Sequence, residues 1–130
     1  MRLITILFFF LVLAIIVGAN TGHLPGFAQA INDLPYGDKV GHFLLMGMLS
    51  FLVNASAQIT FPARKQGRVV FITTIALLFL ITLEEASQYY FPRRTMSLLD
   101  LVSDILGVGL AAWLAYRWGR SKAAPRTVEN

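Results

Sequence analysis

Between residues 84 and 104 the chain sets Glu84, Glu85, Gln88, Arg93, Arg94, Asp100 and Asp104 between two long apolar runs. Ionisable groups beside a hydrocarbon phase are costly, so they are paired with one another or put to use. Glu85 is placed to carry a proton as a general acid or base. His42, in a second polar stretch upstream, titrates near neutrality in its ordinary state and suits the same role. Arg94, with Lys39, suits a phosphate or carboxylate through charge-assisted hydrogen bonds. Gln88, one turn beyond Glu85, can orient what the cations hold. Glu84 projects about one hundred degrees from Glu85 on a helix and falls outside this set. The plainer alternative is that these charges snorkel to the interface or lock helices together, Arg94 with Glu85 or Asp100 and His42 with Asp38. No serine beside a base and no glycine-rich phosphate loop accompanies them.

Composition narrows the choice. The 130 residues are 56% hydrophobic and 14% charged, outside the range of an ordinary soluble domain. The net charge of +4 comes from residues in short loops and the tail. There they orient membrane helices, and no continuous basic face suits nucleic acid. Cysteine is absent, which removes disulfides, thiol nucleophiles and thiolate metal sites. Two histidines, His23 and His42, are too few for a histidine-rich centre, so no metal and no cofactor is expected. His23 reads as a loop residue.

The elements that must position the cluster follow from the apolar runs. Residues 3–19 form a first span, longer than a signal-peptide core and without a convincing cleavage site, hence uncleaved. Gly22, the Pro25-Gly26 pair, Pro35 and Gly37 mark a loop, in which residues 27–34 can make a short interfacial helix. A second span covers 39–57, with Asp38 as its N-cap. Asp38, His42, Met46, Ser50 and Asn54 recur every four residues, so they share one side that must face protein. Gly41 and Gly47 lie off that stripe, where they admit a neighbouring helix. A basic loop precedes the third span, 69–90, which Pro92 ends. The fourth, 97–117, carries Asp100, Asp104, Gly107, Ala111 and Ala115 on one seam, and Trp113, Tyr116 and Trp118 near its far end.

The expected fold is therefore all-α, an integral membrane bundle of four transmembrane helices. Residues 1–119 form one domain and 120–130 a basic tail. Arg2, the loop containing Arg64, Lys65 and Arg68, and the tail place both termini in the cytoplasm by the positive-inside rule. Asp38, Lys39, His42, Glu85, Gln88, Arg94 and Asp100 then converge near the outer face as a polar pocket, with Asp104 one turn deeper.

The spacing Asp38-Lys39-x-x-His42, Glu85-x-x-Gln88, Pro92-x-Arg94, Ser97-x-x-Asp100 and Gly107 resembles the VanZ-like family of small bacterial membrane proteins. The match runs from about 38 to 115, and Asp104 departs from it by standing where members commonly carry asparagine. The resemblance implies a multi-pass protein of the bacterial cytoplasmic membrane, within the cell envelope. It also implies a link to glycopeptide (teicoplanin-type) sensitivity, through the family's namesake. The first expectation for function is an outward pocket binding an anionic lipid or cell-wall precursor headgroup. Asp38, Lys39, His42, Glu85, Gln88, Arg94, Asp100 and Asp104 are its candidate binding residues, and His42 and Glu85 the candidate proton carriers. The alternatives are a membrane hydrolase or transferase on a lipid-linked substrate, and a structural or assembly subunit. Self-association into a homo-oligomer stays open, whereas four short helices leave little room for a transporter's alternating repeats.

Overall fold

The computed structural model describes residues 1–92, 94 and 97–123. Arg93 and Met96, with the tail from 124 onward that contains Arg126, lie outside the described residues. The fold is all-α. Helix α1 spans Arg2–Thr21, the short α2 Gly26–Asn32, α3 Gly37–Thr60, α4 Gln66–Ser87 and α5 Leu98–Ala123, with a 3-10 turn at Gln88–Tyr90 continuing α4. Four of these are long and apolar enough to cross a membrane. Large apolar side chains such as Leu7, Phe10, Phe71, Phe79 and Leu106 face outward. That pattern suits a helix wrapped in lipid, where an apolar exterior is the solvated one.

The helices run alternately up and down. Thr5, near the N-terminus, bonds to Ser56 Oγ at 2.7 Å. Gln58 donates to the Ala115 carbonyl at 2.9 Å, so the start of α1 and the ends of α3 and α5 share one end of the bundle. The opposite end holds α2, the start of α3, the close of α4 and the start of α5. Val12, Met46, Leu49, Leu77, Ile81 and Val108 form the core between them.

The α3–α5 pair makes the most extensive contact, and two glycines explain why. A Cβ added to Gly107 would fall on the Phe43 carbonyl oxygen. One added to Gly47 would stand 3.2 Å from the Gly107 carbonyl oxygen. Small residues let the backbones approach until dispersion and interhelical hydrogen bonds hold them, which matters where lipid offers no hydrophobic drive. Along the seam Ser50 donates to the Val108 carbonyl at 3.0 Å. Asn54 donates to the Ser50 carbonyl at 3.0 Å and to Thr74 on α4 at 3.3 Å, tying three helices together. Replacing Asn54 with leucine keeps the branched shape, adds some bulk and loses these bonds. We expect a cost of about 1 kcal/mol in reversible unfolding from mixed micelles. An unchanged midpoint would remove Asn54 from the framework.

Some expected boundaries move. The second span begins at Gly37 because Tyr36 takes a left-handed φ of 57° and its carbonyl accepts from Val40 at 3.1 Å. Asp38 therefore sits inside the first turn rather than capping it, with its carboxylate free for other partners. The fourth span runs to Ala123, beyond the expected 117. Its added turn lays Lys122 over the Trp118 ring at 4.4 Å and Arg120 over Tyr116 at 5.8 Å, contacts that stabilise cations beside aromatic faces. The third span is α4 plus the 3-10 turn, and Gln66 closes the preceding loop by donating to the Arg64 carbonyl at 2.9 Å.

Candidate functional site

Three helices and one turn build the polar end of the bundle. Lys39, in the first turn of α3, reaches across to α5. Its Nζ donates to Asp38 at 3.0 Å and to Asp100 at 3.2 Å. One turn deeper, His42 Nδ1 donates to Asp104 Oδ1 at 3.0 Å, and its Nε2 stands 3.9 Å from Asp100. Asp100 and Asp104 are four apart on α5, so they meet Lys39 and His42 as successive rungs. Asp104 is fully buried, and its Oδ2 has no hydrogen-bond partner among the described residues.

From α4, Glu85 points inward and is 2% exposed. Its Oε1 accepts the Ser97 backbone N–H at 2.8 Å and its Oε2 accepts from Gln88 at 3.0 Å. This pins the turn between α4 and α5 against the bundle. His42, Glu85 and Asp104 each bring one N or O atom within 4.8 Å of the other two. No metal was expected from two histidines in the sequence. The folded chain instead joins one histidine to carboxylates of two other helices.

Arg94 turns the other way. It donates to Asn20 Oδ1 at the end of α1 at 3.1 Å and lies 3.9 Å from Glu84. Glu84 also accepts from Gln88 at 3.1 Å, so it belongs to the site, contrary to expectation. The hundred degrees between Glu84 and Glu85 puts Glu84 on the cavity lining and Glu85 behind it, and Gln88 donates to both.

The expected pairings are also corrected. Arg94 meets Glu84 and not Glu85 or Asp100, since Glu85 is turned inward by Ser97 and Gln88. His42 meets Asp104 and Asp100 and not Asp38, since Lys39 holds Asp38 toward the surface.

A cavity of about 960 Å³ opens at this end. Its floor and rim carry Asp38, Lys39, His42, Glu84, Gln88, Arg94 and Asp100, and its walls are apolar residues of α1, α2 and α3 such as Ile15, Ile16, Phe27, Ile31 and Leu45. Of the eight candidate residues, six line it; Glu85 and Asp104 stand behind the lining. Sequence reasoning missed Asn20, Ser97 as a backbone donor, and the wall supplied by α2. Asn20, at the polar end of an apolar run, was the available signal. His23 is exposed after α1 and does not line the cavity.

Gly37 fixes α2 over the mouth. A side chain there would strike the Ile31 carbonyl, so only glycine lets α2 fold back onto the start of α3.

No curated protein and no solved structure matches the chain significantly. A family model described as VanZ/LLP1 matches residues 3–119, which takes in all of α3 and α4, most of α1 and α5, and every residue of the polar end. The chain is a membrane protein of the VanZ/LLP1 family.

Proposed function

We propose that this VanZ-like protein is a multi-pass component of the bacterial cytoplasmic membrane, with both termini in the cytoplasm. Its outward-facing cavity binds an anionic lipid or a lipid-linked cell-wall precursor by the headgroup. The observation that carries this reading is the cavity itself. Apolar walls of α1 to α3 suit acyl or prenyl chains, and the cations Lys39 and Arg94 lie at its polar end. Among the described residues Arg94 engages only part of its fork, with Asn20 and a distant Glu84, which leaves guanidinium N–H groups for a phosphate or carboxylate. Lys39 and His42 set the charge below, and Gln88 orients the bound group. The orientation follows from the basic loop at 64–68, which stands at the opposite end from the cavity. Occupancy of this cavity alters how glycopeptides meet the envelope.

The test is paired. Membrane abundance and sensitivity to glycopeptide and lipopeptide antibiotics are recorded in one host for wild type and Arg94→Ala. The expected result is abundance within about twofold of wild type, since among the described residues Arg94 gives up one hydrogen bond and one long ion pair, with the phenotype lost. Abundance and phenotype falling together would make Arg94 a structural strut.

A second reading has one observation behind it. The His42–Asp104 hydrogen bond is the arrangement of a general base held by its orienting carboxylate. A hydrolase or transferase of this kind would lose turnover on lipid-linked substrates in Glu85→Gln while remaining folded.

A further inference from the structure

We propose that His42, Glu85 and Asp104 form a binding site for one divalent first-row transition-metal ion, Zn²⁺ or Mn²⁺, at the floor of the cavity. The donor set is one imidazole nitrogen and two carboxylates, and mixed nitrogen–oxygen sites of this kind favour such ions over Ca²⁺ or Mg²⁺. The three residues come from three different helices, α3, α4 and α5, so the fold and not local sequence assembles them. Their donor atoms lie within 4.8 Å of one another. Ligands about 2.1 Å from an ion stand ~3 Å apart at right angles and ~4.2 Å apart when opposed. His42 Nδ1 and Asp104 Oδ1 already match the first spacing at 3.0 Å. The third donor, on Glu85, lies within 4.8 Å of both and is reached by small shifts of the three side chains toward the ion.

Two independent features point to an ion. Asp104 is fully buried, yet its Oδ2 has no partner among the described residues. A buried carboxylate oxygen left unpaired is costly, and a cation beside it removes that cost. Charge gives the second. Asp38, Glu84, Glu85, Asp100 and Asp104 are five of the chain's seven acidic residues, and they share this end of the bundle. Against them, among the described residues, stand the permanent cations Lys39 and Arg94. Excess negative charge near hydrocarbon calls for a counter-ion.

On binding, the ion takes the place of the proton between His42 Nδ1 and Asp104 Oδ1; a doubly protonated ring releases that proton to solvent, and a neutral ring carries its single proton on Nε2 instead. Asp100, 3.9 Å from Nε2, then orients the ring from behind, as carboxylates do for metal-bound histidines. Glu85 keeps its bonds to Ser97 and Gln88, each oxygen retaining a free lone pair.

The experiment uses the full chain in detergent, stripped with chelator, desalted, and offered Zn²⁺ or Mn²⁺ alone with no lipid added. Bound ion is counted by elemental mass spectrometry, and thermal unfolding is followed with and without ion. The expected result is about one ion per chain, with a rise in Tm on loading. Asp104→Asn and Glu85→Gln lose both, while the outlying Thr82→Ala keeps both. Asparagine and glutamine preserve shape, although glutamine at 85 can accept only one of the two bonds that Glu85 accepts; Tm without ion shows whether each variant is folded. Wild type taking up no more ion than a Thr82→Ala sample run with excess chelator would overturn the proposal whatever the variants do. So would full loading of folded Asp104→Asn. Because no lipid is present, failure here leaves the headgroup reading standing, and lipid retention measured in chelator tests that reading separately.

Discussion

Gly107→Val is expected to remove most folded protein from the membrane, whereas Gly109→Val, two residues away, should leave it in place. The difference lies in what a side chain would meet. At 107 it would strike the Phe43 carbonyl oxygen and stand 3.2 Å from the Phe43 Cα, all backbone that cannot rotate aside. At 109 it would meet nothing within 4 Å. Valine at 107 therefore forces α3 and α5 apart, and the separation propagates. The Ser50–Val108 and Gln58–Ala115 hydrogen bonds lengthen, and His42 is drawn off Asp104, because every one of these contacts spans the same seam. Overpacking a close-packed interface costs about 1–3 kcal/mol, and the lost bonds add to it. Quantifying both variants by fluorescence-detected size exclusion from solubilised membranes checks this. Equal abundance of the two would show that the helices do not meet at Gly107.

The second large effect is at His42. Truncation to alanine leaves Asp104 buried with neither oxygen partnered, and breaking a buried pair in this way costs about 3–5 kcal/mol. His42→Ala should therefore lower both Tm and membrane abundance severely. Adding Asp104→Leu should recover much of the loss, since removing both partners abolishes the unpaired charge. A thermal-unfolding cycle of the two single variants and the double variant supplies the coupling. If the double variant is no better than His42→Ala, the histidine acts through packing and not through Asp104.

These two effects also show what the linear chain did and did not reveal. The four spans were legible because each is long and predominantly apolar, and a four-residue repeat was enough to put His42, Met46, Ser50 and Asn54 on the protected side. Convergence of Asp38, Lys39, Glu85, Arg94 and Asp100 at one end followed from alternation alone. Partner identity did not follow. Whether Arg94 meets Glu84 or Glu85 depends on a backbone N–H at Ser97 that claims Glu85, and no periodicity encodes that bond. The αL residue Tyr36, which shifts the start of α3 and frees Asp38 for Lys39, left no signal in an ordinary aromatic. Likewise the approach of His42, Glu85 and Asp104 needs three helices at set rotations, so counting histidines understated what the folded chain can hold. Gly107 was legible as part of the α5 seam where the stripe turns from acidic to small, and it is there that the Phe43 backbone of α3 packs against α5.

The central claim is that the cavity binds an anionic headgroup through Arg94. Native mass spectrometry of protein extracted gently from its membrane tests it most directly, with wild type and Arg94→Ala compared per folded chain. The expected result is an anionic lipid or lipid-linked precursor retained by wild type and depleted in the variant. Wild type carrying no more lipid than Arg94→Ala would contradict it, and the charges of the polar end would then serve only to hold the helices together.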